Sequence, residues 1–384
     1  MGLPKYWVYP MGLFDPRPKR DPRDFFDRER ELRDFIRYIR SSPLTLVLGL
    51  RRYGKTSLIL TGLESSEMKY IYIDCKALSS NGMLGVDDFI SLFIQSLEIF
   101  CRRYRSLRTR IYGFLERIRG ISIGPLGISV NTRRFNPSSL VDILYYINDL
   151  GEKIVFVVDE AQELRRMVRY SFDSLIAFIY DNMDCVNMVL SGSQIGLLYR
   201  LLKISDPDAP LYGRVYMEIR LGRLDPVLSR EYLYRGYREY DIEPSEDLID
   251  YVIGSVDGVI GWLAYIGYYT VQKRVYSREA VDEVVENAYN IVLGELENFL
   301  KIHWMARDRY LALLETIASQ KGVTWSQLYR AVESRIGYVP KPTFNRLLKQ
   351  LVDNGFIEKR NENYWIADPI LEKALKHRII RYRH

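Results

Sequence analysis

Residues Leu44–Leu60 read Leu-Thr-Leu-Val-Leu-Gly-Leu-Arg-Arg-Tyr-Gly-Lys-Thr-Ser-Leu-Ile-Leu, and few chain arrangements accommodate that order. The short apolar run Leu44–Leu48 predicts a buried strand. Gly49 to Thr56 follows and fits G-x-x-x-x-G-K-[ST], and a helix starts over Ser57–Thr61. Strand, glycine-flanked loop and helix together form the setting in which this pattern binds phosphate. The backbone around Gly49, Arg51, Arg52, Tyr53, Gly54 and Ser57 can wrap a phosphate chain, and the helix N-terminus adds partial positive charge. Lys55 is placed to reach the β- and γ-phosphates and the Thr56 hydroxyl to ligate Mg²⁺. The alternative, a chance match in an ordinary turn, does not explain the flanking elements.

A second stretch points the same way. Lys153-Ile154-Val155-Phe156-Val157-Val158-Asp159-Glu160 is a buried-strand run ending in two carboxylates. At such a strand tip Asp159 holds Mg²⁺ and Glu160 polarises the attacking water. A solvated strand end explains this run equally well when it stands alone. With the Lys-Thr loop upstream it implies nucleotide binding, and Glu160 implies hydrolysis.

The 384 residues are 47% hydrophobic and 27% charged, a globular composition with room for two or three domains. No apolar run approaches the roughly 18 residues of a membrane span. The N-terminus lacks a signal-peptide core and the myristoylation pattern, so the cytoplasm is the expected compartment. Cys75, Cys101 and Cys185 are too scattered for a disulfide frame or a zinc site. His303, His377 and His384 lie far in sequence from both motifs, which argues against a histidine-based triad. The net charge of +6 is uneven: residues 321–384 hold 13 Lys and Arg against 6 Asp and Glu. The excess there calls for an anionic partner.

Residues 1–23 read as an extended arm rich in Pro, Arg and Asp. Phe25 to about Ile39 reads as an amphipathic helix, with Leu32, Phe35, Ile36 and Ile39 at helical spacing. Phe26-Asp-Arg28-Glu-x-Glu-Leu32, followed by Gly49-x-Arg-Arg-x-Gly-Lys-Thr-Ser-Leu58, resembles the archaeal ATPases of the AAA+/STAND group, relatives of the archaeal origin-recognition ATPases. The resemblance implies ATP or ADP with Mg²⁺ as cofactors, and places Phe26 and Arg28 near the adenine. Farther along, Lys69–Cys75 is a second strand and Val86 to about Leu107 a long helical stretch. Ile121–Val130 reads as a hairpin around Gly124 and Gly127. Asn187–Leu190 and Val215–Leu221 complete five strands. By resemblance, Ser191 and Ser193 at a strand tip sense the γ-phosphate, and Arg214 is a phosphate-sensing arginine acting in cis or on a neighbouring subunit. The expected core is an α/β P-loop NTPase with a five-stranded parallel sheet, in the order 5-1-4-3-2 that the resemblance implies.

From Leu224 the chain turns helical, with Ser229, Ser245 and Ser277 as expected N-caps and helices near 229–240, 245–254, 261–272, 278–290 and 290–305. This is an all-α lid, residues 224–306, following a core of residues 1–223. Ile260 stands where the resembling family places a proline against the adenine, so an apolar contact persists without the rigid turn. Residues 307–384 read as a winged helix: three helices, a hairpin and a basic tail with Arg378, Arg381 and Arg383. On its third helix, Phe344, Leu347, Leu348 and Leu351 share a buried face. Asn345, Arg346, Lys349 and Gln350 lie opposite, suited to duplex DNA, with Lys359 and Arg360 on the wing. A solvated charged face or a protein-contacting winged helix is the other reading.

Together these features give an ATP-hydrolysing switch in which nucleotide state moves the lid and the winged helix, acting as a monomer or a nucleotide-dependent oligomer. The alternative is a DNA-binding, defence or signalling protein in which nucleotide is mainly structural and the winged helix contacts protein.

Overall fold

The computed structural model describes residues 12–78, 84–125, 127–167, 170–320 and 322–381, apart from the side chains of 378–381. The first part of the expected arm, residues 1–11, and the cations of Arg378, Arg381 and Arg383 lie outside the described residues. The chain divides into two compact units. One comprises Lys19–Gly49 and Lys55–Leu221; the other comprises the chain up to Pro18, Leu50–Gly54 and Gly222 onward.

The first unit is a doubly covered parallel sheet. It contains α1 (Glu29–Ser41), β1 (Leu44–Leu48), α2 (Lys55–Ser66), β2 (Lys69–Asp74), α3 (Val86–Arg103), α4 (Arg105–Leu115), β3 (Ile121–Gly124), β4 (Gly127–Val130), α5 (Ser139–Asn148), β5 (Ile154–Asp159), α6 (Phe172–Asn182), β6 (Val186–Gly192), α7 (Ile195–Leu202) and β7 (Met217–Arg220). The strand order β2-β5-β6-β1-β7 is the expected 5-1-4-3-2 read from the opposite edge. Every residue of β1, β5 and β6 is buried, as a parallel sheet covered on both faces requires. Phe93 and Phe89 of α3 meet Phe156 and Phe172 edge-on, with ring centroids 6.0 and 5.4 Å apart. The register sets Asp74 beside Asp159, and Leu190 beside Val158, so the polar ends of β2, β5 and β6 finish together.

Several boundaries differ from the sequence reading. Helix α1 starts at Glu29 and not at Phe25, because Asp27 and Arg28 take left-handed backbone conformations (φ 51° and 75°). The long helix expected over 86–107 ends at Arg103. Tyr104 (φ −109°, ψ 73°) breaks it, and α4 follows as a separate helix. The hairpin forms as expected, with Gly124 opposite Gly127.

The second unit is helical. Helix α8 (Pro226–Arg238) is capped by Asp225, whose carboxylate accepts from Leu228 N at 2.9 Å, with Pro226 at the first helical position. Ser229, expected as the cap, lies inside that helix and is buried. Ser245 and Ser277 do cap α9 (Glu246–Val256) and α11 (Arg278–Ile302), on either side of α10 (Ile260–Lys273). α11 is one helix of 25 residues where two were expected. Its buried stripe of Val281, Val284, Ala288, Val292, Leu296 and Phe299 runs unbroken through residue 290, so nothing favours a break there.

The chain near the N-terminus is tied into this helical unit. Phe14 is fully buried and meets Tyr232 and Tyr237 edge-on, centroids 5.8 and 5.0 Å away. A Cβ on Gly236 or Gly267 would come within 2.3 or 2.5 Å of the Phe14 ring, so these two glycines form its slot. Leu13 N donates to Glu239 at 2.8 Å, and Tyr232 OH donates to Leu13 O at 2.6 Å.

A winged helix completes the unit: α12 (Arg307–Ser319), β8 (Val323–Thr324), α13 (Trp325–Ile336), α14 (Lys341–Asp353), β9 (Ile357–Arg360) and β10 (Asn363–Ile366), with sheet order β8-β10-β9. The expected capping box closes between Thr324 and Gln327. Where the sequence reads as a basic tail, Pro369–Arg381 forms a further helix, α15, which buries Ile370, Leu371, Ala374 and Leu375. Among the described residues no helix is long and apolar enough to cross a membrane.

Candidate functional site

In the sheet unit both sequence motifs converge at the carboxyl ends of β1, β5 and β6, where open α/β sheets take ligands. Lys55 opens α2 and is buried; its Nζ donates to Gly49 O at 2.8 Å and stands 4.0 Å from Glu160 Oε1. Thr56 Oγ1 donates to Asp159 Oδ2 at 2.8 Å. Tyr72 OH, from the adjacent strand β2, donates to the same oxygen at 2.6 Å. The Ser191 hydroxyl bonds Asp159 Oδ1 and also accepts from Glu160 N at 3.1 Å. Asp159 is thus held from three elements, α2, β2 and β6.

Glu160 adopts a left-handed conformation (φ 53°) that turns its side chain back across the site. Its Oε2 accepts from Ser193 N at 3.1 Å, Ser193 Oγ at 2.6 Å and Gln162 Nε2 at 2.5 Å. Burial alone would raise the Glu160 carboxyl, but the Lys55 charge and the Ser193 and Gln162 donors outweigh it and hold it below the usual carboxylate range. Asp74, also at this edge, moves the other way: burial and the charges of Asp159 and Glu160 outweigh the bonds from Lys76 and raise it. Burial and the Asp159 carboxylate raise the Tyr72 phenol, which stays a donor.

Sequence reasoning found Lys55, Thr56, Asp159, Glu160, Ser191 and Ser193, and the fold brings these six together. It missed Tyr72 and Gln162. Tyr72 carried a signal, since it sits two positions before the end of an alternating strand and so shares a face with Asp74. Phe26 and Arg28 are both buried, with Arg28 3.8 Å from Glu31. Arg214 forms a two-pronged pair with Asp181 at the end of α6, at 2.9 and 2.5 Å, and the pairing lowers the Asp181 carboxyl. Its charge is thus already matched within its own unit.

The middle of the glycine-flanked loop, Leu50–Gly54, has its own setting in the helical unit. Arg52 is left-handed (φ 67°), a conformation more often given to glycine. Its guanidinium lies 4.2 Å over the Trp262 ring, 2.7 Å from Glu295 and 3.4 Å from Asp368. Trp262 Nε1 donates to the same Asp368 at 3.0 Å. Arg51 reaches Glu295 at 2.8 Å, and Arg223 donates to Tyr53 OH at 3.0 Å. Gly261 N donates to Arg52 O at 2.9 Å, and a Cβ on Gly261 would stand 2.6 Å from Arg52 Cβ. The expected adenine neighbour Ile260 lies beside Gly54, 3.7 Å from where a Cβ would be. These partners are hundreds of residues away in sequence, so no local pattern announces them.

On the winged helix, Arg346 and Lys349 are exposed, with no acidic partner among the described residues. The other four candidates are engaged internally. Asn345 Oδ1 accepts from Trp325 Nε1 at 2.7 Å, and Gln350 accepts from Tyr310 OH. Lys359 pairs with Glu362 at 2.7 Å, and Arg360 pairs with Glu358.

Residues 25–266 match a family described as an ATPase domain predominantly from Archaea, and residues 305–367 match the MCM protein C-terminal winged helix-turn-helix domain. No curated protein matches the chain. Among solved structures, the Walker-type ATPase PABY2304 of Pyrococcus abyssi is similar over 95% of this chain and 99% of that chain, at 30% identity and a TM-score of 0.80. The Aeropyrum pernix ORC2 protein, in ADPNP–ADP complexes, is similar over 96% and 98%, at 13% identity and a TM-score of 0.58.

Proposed function

Because the chain belongs to the ATPase family found predominantly in Archaea, we propose that it hydrolyses ATP with Mg²⁺ and couples its nucleotide state to duplex DNA through its winged helix. The observation that carries hydrolysis is the pairing of Glu160 with Lys55 at 4.0 Å, directly after an Asp159 bonded to Thr56. The Aeropyrum relative's complexes with ADPNP and ADP favour an adenine nucleotide.

The residues present fit a magnesium ion: a hydroxyl and a carboxylate oxygen 2.8 Å apart are the hard oxygen donors it takes, water and phosphate supplying the rest. Thr56 and Asp159 would hold it, and when bound it would draw charge from the phosphate oxygens. The chain's own groups do the remainder. Lys55 and the loop N–H groups stabilise negative charge on the transferring phosphoryl group. Tyr72 and Ser191 keep Asp159 aimed. Glu160 orients a water and accepts its proton as the water attacks. We assign residues 1–223 to the ATPase core, 224–306 to the lid and 307–384 to the winged-helix domain.

One observation favours a slower, switch-like protein in which bound nucleotide is largely structural. Three donors from Ser193 and Gln162 converge on Glu160 Oε2 and stabilise the ionised carboxylate, which makes it a weaker base toward a water proton. Turnover decides between the readings. ATP hydrolysis is measured with Mg²⁺ or chelator, and titrated with duplex DNA at two salt concentrations. Mg²⁺-dependent turnover stimulated by DNA at low salt supports the coupled cycle. Tight ATP binding without turnover supports the structural role.

The winged-helix contribution has its own readout. Reversing Arg346→Glu and Lys349→Glu together is expected to weaken duplex binding by about tenfold or more, and to reduce the slope of log K against log salt by about 1.8. Fluorescence anisotropy at several salt concentrations measures both. An unchanged affinity and slope would remove the winged helix from the DNA interface.

A further inference from the structure

Outside residues 321–384 the chain is close to neutral, yet that average conceals a segment of the sheet unit that is strongly basic. Residues 102–134 contain nine arginines, the single acidic residue Glu116 and no lysine. They end α3 with Arg102 and Arg103 and then build α4 and the β3–β4 hairpin, inserted between α3 and α5. We propose that this insertion is a second DNA-binding element, a surface that grips the phosphate backbone of duplex DNA.

The insertion presents its charge on a fixed frame. Leu107, Ile111 and Leu115 form the buried side of α4. The opposite side carries Arg105, Ser106, Thr109, Arg110 and Gly113, all exposed, and Arg117 continues it beyond the helix. The hairpin is fastened through Glu98 of α3, which accepts from Ile128 N at 3.0 Å, Tyr112 OH at 2.7 Å and Arg102 Nε at 2.6 Å. Glu98 and Glu64 account for Arg102 and Arg103. None of Arg105, Arg108, Arg110, Arg117 or Arg119 has a carboxylate partner among the described residues, nor does the pair Arg133 and Arg134 that follows the hairpin. Like charges so closely spaced on one helix repel.

The residue types identify the partner. Arginine without lysine suits an acceptor taken by a flat two-pronged donor, which is phosphate. Exposed Ser106 and Thr109 between the arginines add the hydroxyl donors that bind a nucleic-acid backbone. Single strands are disfavoured because no aromatic ring is free to stack a base. Tyr104 and Phe114 lie on Phe100 and Tyr146 at 4.8 and 4.1 Å, and Tyr112 is turned to Glu98. The 11 residues of α4 extend about 16 Å, enough to meet several successive phosphates. The choice of DNA over RNA rests on the winged-helix reading above; the phosphate surface itself does not.

The test uses the full chain and a labelled random-sequence duplex of about 25 base pairs, followed by anisotropy from low to moderate salt. Arg105→Ser, Arg110→Ser and Arg117→Ser combined are expected to weaken binding about tenfold and to lower the salt slope by about 0.9 for each phosphate left unneutralised. A second variant, Glu116→Gln, is expected to tighten binding severalfold, a gain that damaged folding cannot produce. Unchanged affinity and slope in both variants overturn the proposal, whatever the Arg346 and Lys349 reversal does. If that reversal alone has no effect, the winged-helix reading fails and this one stands. Duplex RNA bound more tightly than DNA, or polyglutamate competing as well as DNA, overturns the assignment to DNA.

Discussion

Glu160→Gln leaves ATP binding intact and lowers hydrolysis by at least about 10²-fold. On the proposed mechanism the substitution removes the group that takes the proton from water and keeps the side chain's shape. The surroundings can accept it: with the new carbonyl oxygen in the place of Oε2, Ser193 N, Ser193 Oγ and Gln162 Nε2 all keep their acceptor. The loss therefore falls on turnover, about 3 kcal/mol or more of transition-state stabilisation. Lys55→Ala separates the two roles, since it removes phosphate binding itself and raises the nucleotide dissociation constant. Phosphate release measures the first effect and calorimetric titration with ATP and Mg²⁺ the second. Wild-type turnover in Glu160→Gln would remove Glu160 from the chemistry and favour the structural reading of the nucleotide.

Phe14→Ala lowers stability by about 3–5 kcal/mol, the range for emptying a well-packed aromatic site. The site cannot collapse to fill the space. Tyr232 OH is bonded to Leu13 O, and Tyr237 OH to Thr270 Oγ1 at 2.8 Å, so both flanking rings are anchored. Gly236 and Gly267 have no side chains to move in. Phe14→Leu fills most of the volume and should recover a large part of the loss. Denaturant unfolding followed by circular dichroism reads the difference in midpoint. A Phe14→Ala protein as stable as the wild type would mean that the arm contributes nothing to the helical unit.

These expectations separate what the sequence made legible from what it did not. The strand and helix around the glycine-flanked loop, and the strand that ends in Asp159, were legible because fixed residue types stand at fixed spacing beside an apolar run. The sheet order followed the resemblance, and the winged helix followed its capping box and apolar stripe. Boundaries failed where local signals competed. Ser229 looked like a cap, but Asp225 followed by proline is the stronger start. No polar interruption marks a break near residue 290, and the buried stripe of α11 carries the helix through it. The helix over Pro369–Arg381 was hidden by its basic residues, although Ile370, Leu371, Ala374 and Leu375 are a helical face. Partnerships across long sequence distances were not legible at all. Nothing near Arg52 points to Glu295 or Asp368, and the arginine-rich insertion vanished into a balanced total.

The seat of Arg52 also gives the protein an optical probe of its own. Trp262 is the buried tryptophan among those described, whereas Trp304 is 71% exposed and Trp325 and Trp365 are partly so. A buried indole emits toward the blue of its solvated companions, so the two populations can be separated by emission wavelength. With a guanidinium 4.2 Å over its ring and a carboxylate on its N–H, the Trp262 emission is set by the local field at the crest of the phosphate loop. Under the proposed function, a nucleotide that draws Arg52 toward phosphate changes that field, so its binding can be followed in the unlabelled, unmodified protein, in real time and apart from turnover.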